Sequence, residues 1–197
     1  MSTTTAPSTL HAARAISDWL HPRTWIVLVS LAVGWHAQRW TGVGWSLVTV
    51  LFAAVLPMAF IDSGIRQGRW ADRNVGARTG RLIVMAFILV SVAVGIALIA
   101  LFHGPRDLIA LTISMIVTLA VLAAITLAWK ISVHQAVSAG AVIMTAQTYS
   151  PWWALAFAAV AVVGWSRVAV RDHTLAQVLV GSVVGALVAA LTYASGR

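Results

Sequence analysis

One feature closes water-soluble folding to this chain: apolar runs of membrane-crossing length recur along it, separated by short polar breaks. Residues 43–61, 82–102, 108–129 and 174–195 are each almost wholly apolar and reach the ~20 residues that a helix needs to cross the hydrocarbon core. Inside a bilayer no water satisfies backbone N–H and C=O groups, so a chain crosses as helices or as a closed barrel. Continuous apolar runs, with no period-two alternation, select helices. Composition agrees: 60% of residues are hydrophobic and 9% are charged, against roughly 25% charged in a soluble domain. The expectation is an all-α, polytopic transmembrane helical bundle, one membrane domain spanning 1–197.

Taken in order, 1–9 reads as a polar disordered tail with no basic segment leading into an apolar core, hence not a signal peptide. Residues 10–21 carry apolar side chains at helical spacing around Arg14 and Asp18, which suits a short interfacial helix ended by Pro22. A hairpin follows, 25–38 and 43–61, with its turn at Arg39-Trp40-Thr41-Gly42. The longest polar stretch, 62–81, is read as a basic loop containing five arginines. Two further passes, 82–102 and 108–129, turn at His103-Gly104-Pro105. A tighter hairpin, 135–149 and 152–165, has Ser150-Pro151 at its tip, and 174–195 closes the chain. Six or seven spans result, depending on whether 25–38 crosses fully.

With this count Arg14, Arg23, Arg66, Arg69, Arg73, Arg78, Arg81, Lys130, Arg167 and Arg171 fall on one face, and Arg39, Arg106 and Arg197 on the other. The positive-inside rule puts the richer face in the cytoplasm, in a plasma (inner) membrane. The net charge of +8 thus suits loops and anionic headgroups, and no nucleic-acid module is present. The chain has no cysteine, which excludes disulfides and thiolate metal sites. Trp25, Trp70, Trp129 and Trp165 border the basic face and Trp40, Trp45, Trp152 and Trp153 the other, as an aromatic belt requires. Arg66, Arg69 and Arg171 are read as topology signals, His36 and His103 as interfacial, and Asp62 and Asp72 as offsets to nearby arginines. Gly181 and Gly185 are read as a small face packed inside the bundle.

Three polar breaks share the basic face: Arg81, Lys130/Ser132/His134 and Ser166/Arg167/His173. Two imidazoles among cations suit phosphoryl transfer, one attacking phosphorus while the other protonates the leaving oxygen, with cations and backbone N–H groups stabilising the transition state. His173-Thr174 also opens the last helix, where an anion is favoured.

Ser166-Arg167, five residues, then His173 resembles the third signature, SRxxxxxHxxxD, of the type 2 phosphatidic acid phosphatase superfamily, the membrane lipid phosphatases related to vanadium haloperoxidases. Ser132-Val133-His134 is similar to that family's PSGH, and 74–82 to its KxxxxxxRP, keeping Arg81. The resemblance implies that His173 is the nucleophile of a phosphohistidine intermediate and His134 the general acid. It implies that Arg167 and Arg81 bind phosphate with help from Ser132 and Ser166, without metal or other cofactor, on a lipid phosphate substrate among membrane lipids. Gln177 stands where the family has aspartate; at i, i+4 from His173 it can orient the ring without offsetting its charge. Asn74 stands where the family has lysine, and Lys130 is the expected replacement, with Arg73 and Arg78 as substitutes. Two other expectations stay open: a non-catalytic relative that binds or moves an anionic lipid, and a transporter, for which no internal repeat speaks. The sequence does not select an oligomeric state.

Overall fold

Gly34 and Gly42 bring the first two passes together. A Cβ on either glycine would collide with the carbonyl of the other, so the two backbones touch. Residues sixteen apart in a straight helix are about 24 Å apart, yet the Ser46 hydroxyl donates to the Ser30 carbonyl at 2.7 Å. The helix Pro22–Val50 is therefore two antiparallel arms, reversing at Gln38 (φ −146°, ψ 29°) and Arg39 (φ 50°, ψ −128°). The turn begins one residue earlier than the Arg39–Gly42 expected from sequence, and the first arm is longer, because His21 caps it and Pro22 supplies a helix-ready first residue.

The computed structural model describes residues 7–71, 75 and 77–197. Its helices are α1 (Pro7–Trp19), α2 (Pro22–Val50), a π-helical turn (Leu51–Val55), α3 (Leu56–Arg66), α4 (Arg78–Leu101), α5 (Arg106–Ala128), α6 (Val133–Thr148), a 3-10 turn (Pro151–Ala156), α7 (Phe157–Ala169) and α8 (Leu175–Gly196). Five helical segments are long and apolar enough to cross a membrane, the first being Pro22–Arg66. That segment doubles back, and α6 adds a short helix of 16 residues, so the described residues form seven antiparallel segments. The result is an all-α membrane bundle, as the apolar runs require.

Small residues hold its centre together. α6 and α8 pack most intimately: a side chain on Gly185 would strike the Ala136 backbone, and one on Gly181 would lie 2.8 Å from the Ser132 carbonyl. The glycine face of α8 therefore packs inside the bundle, as expected. Gln135 is buried and donates to Val160 O at 3.0 Å and Ser182 Oγ at 2.9 Å, tying α6 to α7 and α8. At the opposite wall the π turn interrupts the second arm of α2 just before Pro57, whose missing N–H cannot close a normal turn onto Ala53. Ser91 satisfies the Phe52 carbonyl there at 2.6 Å, and the small side chains of Ala53 and Ala54 leave space beside it.

Three boundaries differ from the sequence reading. Residues 7–9 belong to α1 rather than to a disordered tail, because Pro7 opens the helix. α1 also packs on α7 with Ala13 fully buried, so it is a cap on the bundle and not only a surface helix. The basic stretch 62–81 is helical at both ends: Asp62–Arg66 completes α3 and Arg78–Arg81 starts α4. The Trp70 indole in between donates to Ile61 O at 2.8 Å and covers Gly64. The sequence assignments for 1–6, Asp72, Arg73 and Asn74 lie outside the described residues.

Candidate phosphate site

α7 ends in a Schellman motif, and that turn builds the site. Arg171 N–H reaches Val168 O at 3.0 Å and Asp172 N–H reaches Arg167 O at 3.2 Å, with Arg171 left-handed at φ 60°. Glycine normally occupies that position; here an exposed arginine does. The reversal aims Asp172 back along α7, where its carboxylate pairs with Arg167 Nη2 at 2.5 Å. Arg167 Nη1 also donates to Ser17 of α1, so a guanidinium only 2% exposed is held from two sides.

His173 follows at once and is fixed from below. Thr174 caps α8 in a capping box with Gln177: the Gln177 side-chain oxygen accepts from Thr174 N–H at 3.1 Å and lies 3.1 Å from His173 Nδ1. A carboxamide oxygen only accepts, so Nδ1 carries the proton and Nε2 keeps its lone pair. Burial, then the nearby charges of Lys130 and Arg167, lowers the His173 pKa from 6.5 to about 4, while Gln177 and Asp172 pull weakly the other way. The ring is neutral at physiological pH.

The middle break comes in from the facing side. Lys130 Nζ donates to the Asp172 carbonyl, joining the loop before α6 to the loop after α7. Ser132 caps α6, accepting from Gln135 N–H at 3.4 Å, and its own N–H reaches Gln177 O at 3.4 Å. His134 is 8% exposed, its Nε2 has no hydrogen-bond partner among the described residues, and its ring meets the edge of His21 at 4.9 Å. Arg81 completes the ring of cations from α4, its Nε likewise buried without a partner.

These groups line one cavity of about 220 Å³, whose polar end holds His21, Arg23, Arg81, Lys130, His134, Arg167, Asp172 and His173. Five of the eight expected site residues, His173, His134, Arg167, Arg81 and Lys130, thus meet around one space. Gln177 stands behind His173 in the orienting position expected of it. Ser166 and Ser132 are not among the residues lining the cavity. Ser166 is fully buried and donates to Val163 O at 2.7 Å in its own helix, and Ser132, also buried, accepts at the α6 cap. A hydroxyl near a helix end commonly satisfies backbone instead of facing outward. Arg78, offered as a substitute cation, is exposed and off the cavity.

His21 and Asp172 were not singled out in the sequence as site residues. His21 looks like the tail of an interfacial helix, and only its place before Pro22, on the same face as the other breaks, could have marked it. Asp172 reads as one more loop charge until the α7 turn folds it onto Arg167. No protein-family model matches this chain, and no curated protein or solved structure matches it.

Proposed function

We propose that the protein is a metal-independent lipid phosphatase, removing phosphate from a membrane-anchored phosphomonoester or diphosphate through a phosphohistidine. The observation that carries this reading is the meeting of two imidazoles, each with an unengaged Nε2, around one cationic cavity. His173 has its Nδ1 engaged by Gln177 and its Nε2 lone pair available, and His134 presents an unpartnered Nε2. In the first step His173 Nε2 bonds to phosphorus and the bond from phosphorus to the lipid oxygen breaks. That oxygen leaves with a proton that the monoanionic phosphate passes to it through His134. In the second, His134 takes a proton from water, the hydroxide attacks phosphorus, and the N–P bond returns its electrons to His173. Arg81, Lys130 and Arg167 stabilise the added negative charge at both transition states. The similarity of Ser166–Gln177 and Ser132–His134 to the type 2 phosphatidic acid phosphatase signatures supports the same assignment of roles.

The excess of cations at the site's end of the bundle supports a cytoplasmic orientation in a plasma membrane, where lipid phosphates made on the inner leaflet would be the substrates. The test is phosphate release from a panel of lipid phosphates. His173→Ala should reduce it to background while the protein remains folded and monodisperse; hydrolysis at the original rate by that variant would overturn the proposal. A second reading, a relative that binds an anionic lipid without chemistry, is favoured by Asp172 already occupying Arg167 and by Gln177 replacing a carboxylate. Labelled phosphate trapped on His173 during turnover separates the two, since a binder incorporates none.

A further inference from the structure

The cationic cavity does not end at its polar rim. A second cavity of about 120 Å³ lies deeper in the bundle, between α2, α4, α5 and α6. The two share Pro22, Ile26, Ala53, Ile88, Leu119 and Val133 as lining, so they adjoin, with Ala53 and Leu119 among the side chains that a ligand reaching from one to the other would pass. Among the residues lining the deeper chamber, Thr118 has the sole polar side chain, and its hydroxyl is turned back onto Ser114 O at 2.8 Å. Water in a cavity needs two to four polar partners, so the chamber is dry. Its floor includes Met115 and Met144, flexible side chains that adapt to an apolar guest. From Arg81 to Val92 along α4, or from His134 to Met144 along α6, the path is about 15 Å at 1.5 Å per residue.

One of these adjoining spaces is cationic, with the unpartnered Nε2 of a nine-tenths-buried histidine beside it, and the other accepts only hydrocarbon. A free phosphate would leave the chamber empty, and a plain hydrocarbon would leave the cations unanswered. We propose that the ligand is a single-chain amphiphile, a linear alkyl or isoprenyl phosphate, whose chain passes Ala53 and Leu119 into the bundle interior, and that the chamber floor sets the length of chain accepted. The inference rests on the phosphate-site reading above and narrows it. The small apolar chamber takes one chain, so two-chain phosphatidate and long polyprenyl phosphates are poor ligands.

The experiment measures kcat/KM across a series of n-alkyl phosphates from butyl to octadecyl, in wild type and in chamber variants that touch no catalytic group. Wild type should rise with chain length to an optimum and then fall. Val137→Phe should move the optimum to shorter chains and lower the ratio of the longest to the shortest substrate at least tenfold, while butyl phosphate turnover reports an intact fold. Met115→Ala, which enlarges the chamber and serves if the larger side chain prevents folding, should move the optimum to longer chains. An optimum unchanged in both variants overturns the chamber.

A second readout keeps failure of the chamber separate from failure of the phosphatase reading. Dodecyl phosphate bearing a terminal diazirine is photolysed on His173→Ala protein and the labelled residues are mapped. Labels on Val92, Met115 or Met144 support the chamber even if no variant or wild type releases phosphate, an outcome that overturns the enzyme alone. Labels confined to lipid-facing Val183, Leu187 and Leu191, which are 55%, 58% and 71% exposed, overturn the chamber even if phosphate is released.

Discussion

The two ends of the bundle carry the same kinds of side chain and use them in opposite ways. At the end away from the cavity, Arg197 pairs with Asp107 at 3.7 Å, donates to Gln147 O at 2.7 Å and lies over the Tyr193 ring. Tyr193 and Thr148 hydroxyls meet at 2.8 Å, Tyr149 donates to Ala32 O at 2.7 Å, and His36 stacks edge-on against Tyr149. Arg39 rests on Trp35. Polar groups there close on one another and fasten helix ends together. At the other end Arg81, His134 and His173 surround a hollow, and two of them keep a buried nitrogen unpartnered. Buried polar groups are normally satisfied, so an end that leaves them open is shaped for something to fill it. Arginine and histidine at an interface do not distinguish a clasp from a site; the presence of a cavity between them does.

The sharpest way to break that comparison is to remove one arginine from each end. Arg167→Ala should lower kcat/KM by about 10²–10³, the usual cost of losing one transition-state donor. It should also destabilise by on the order of 2 kcal/mol, since the Arg167 side chain is 3% exposed and Asp172, at 37%, keeps part of its hydration. Arg197→Ala should leave turnover unchanged and cost about 1 kcal/mol or less. Steady-state kinetics and thermal unfolding of both variants check the pair; equal loss of activity would erase the distinction between the ends.

A subtler break lies at Gln177. With His173 lowered to about 4, the acid limb of kcat/KM should sit near pH 4. Gln177→Asp places a charge against the same ring nitrogen and should move that limb upward by about 1–3 units. The sign for stability follows from the same shift. The unfolded imidazole takes a proton near 6.5 and the folded one near 4, so this contribution is fully present above pH 6.5 and is lost as pH falls toward 4. pH titration of turnover and of Tm measures both. Smaller still is Asp172→Asn, which removes the competitor on Arg167; it should lower KM for lipid phosphate a few-fold with little change in kcat. The mildest is Arg171→Gly, where a left-handed residue at φ 60° becomes one that accepts that conformation. It should stabilise by about 1 kcal/mol and leave kinetics alone, as a thermal shift would show.

The parts legible in the sequence were those with a period or a run. Apolar length gave the passes, and the even number of crossings between Arg81, His134 and His173 put them at one end, where the cavity joins them. Gln177 was legible because helix spacing fixes its distance to His173. The backbone contacts of Ser132 and Ser166 were not legible, because a hydroxyl has two uses near a helix end, capping or ligand binding, and the sequence alone does not choose. The extent of α3 and the start of α4 were misread because their end residues are charged, and charge at a helix terminus looks like a loop. The deep chamber had no signature, since it is made of ordinary apolar residues.

The contact between Gly34 and Gly42 has a consequence for how the chain folds. With carbonyls pressed against the facing glycine and Ser46 bonded to Ser30, no lipid fits between the two arms, and neither arm has its partner until the other emerges. The two arms therefore act as one unit within the bundle, with Arg39 at the tip resting on the Trp35 indole. A bulkier residue at Gly34 would strike Ser46 and the Gly42 carbonyl, and would reveal itself first as a loss of folded protein, before any change in the site could be assayed.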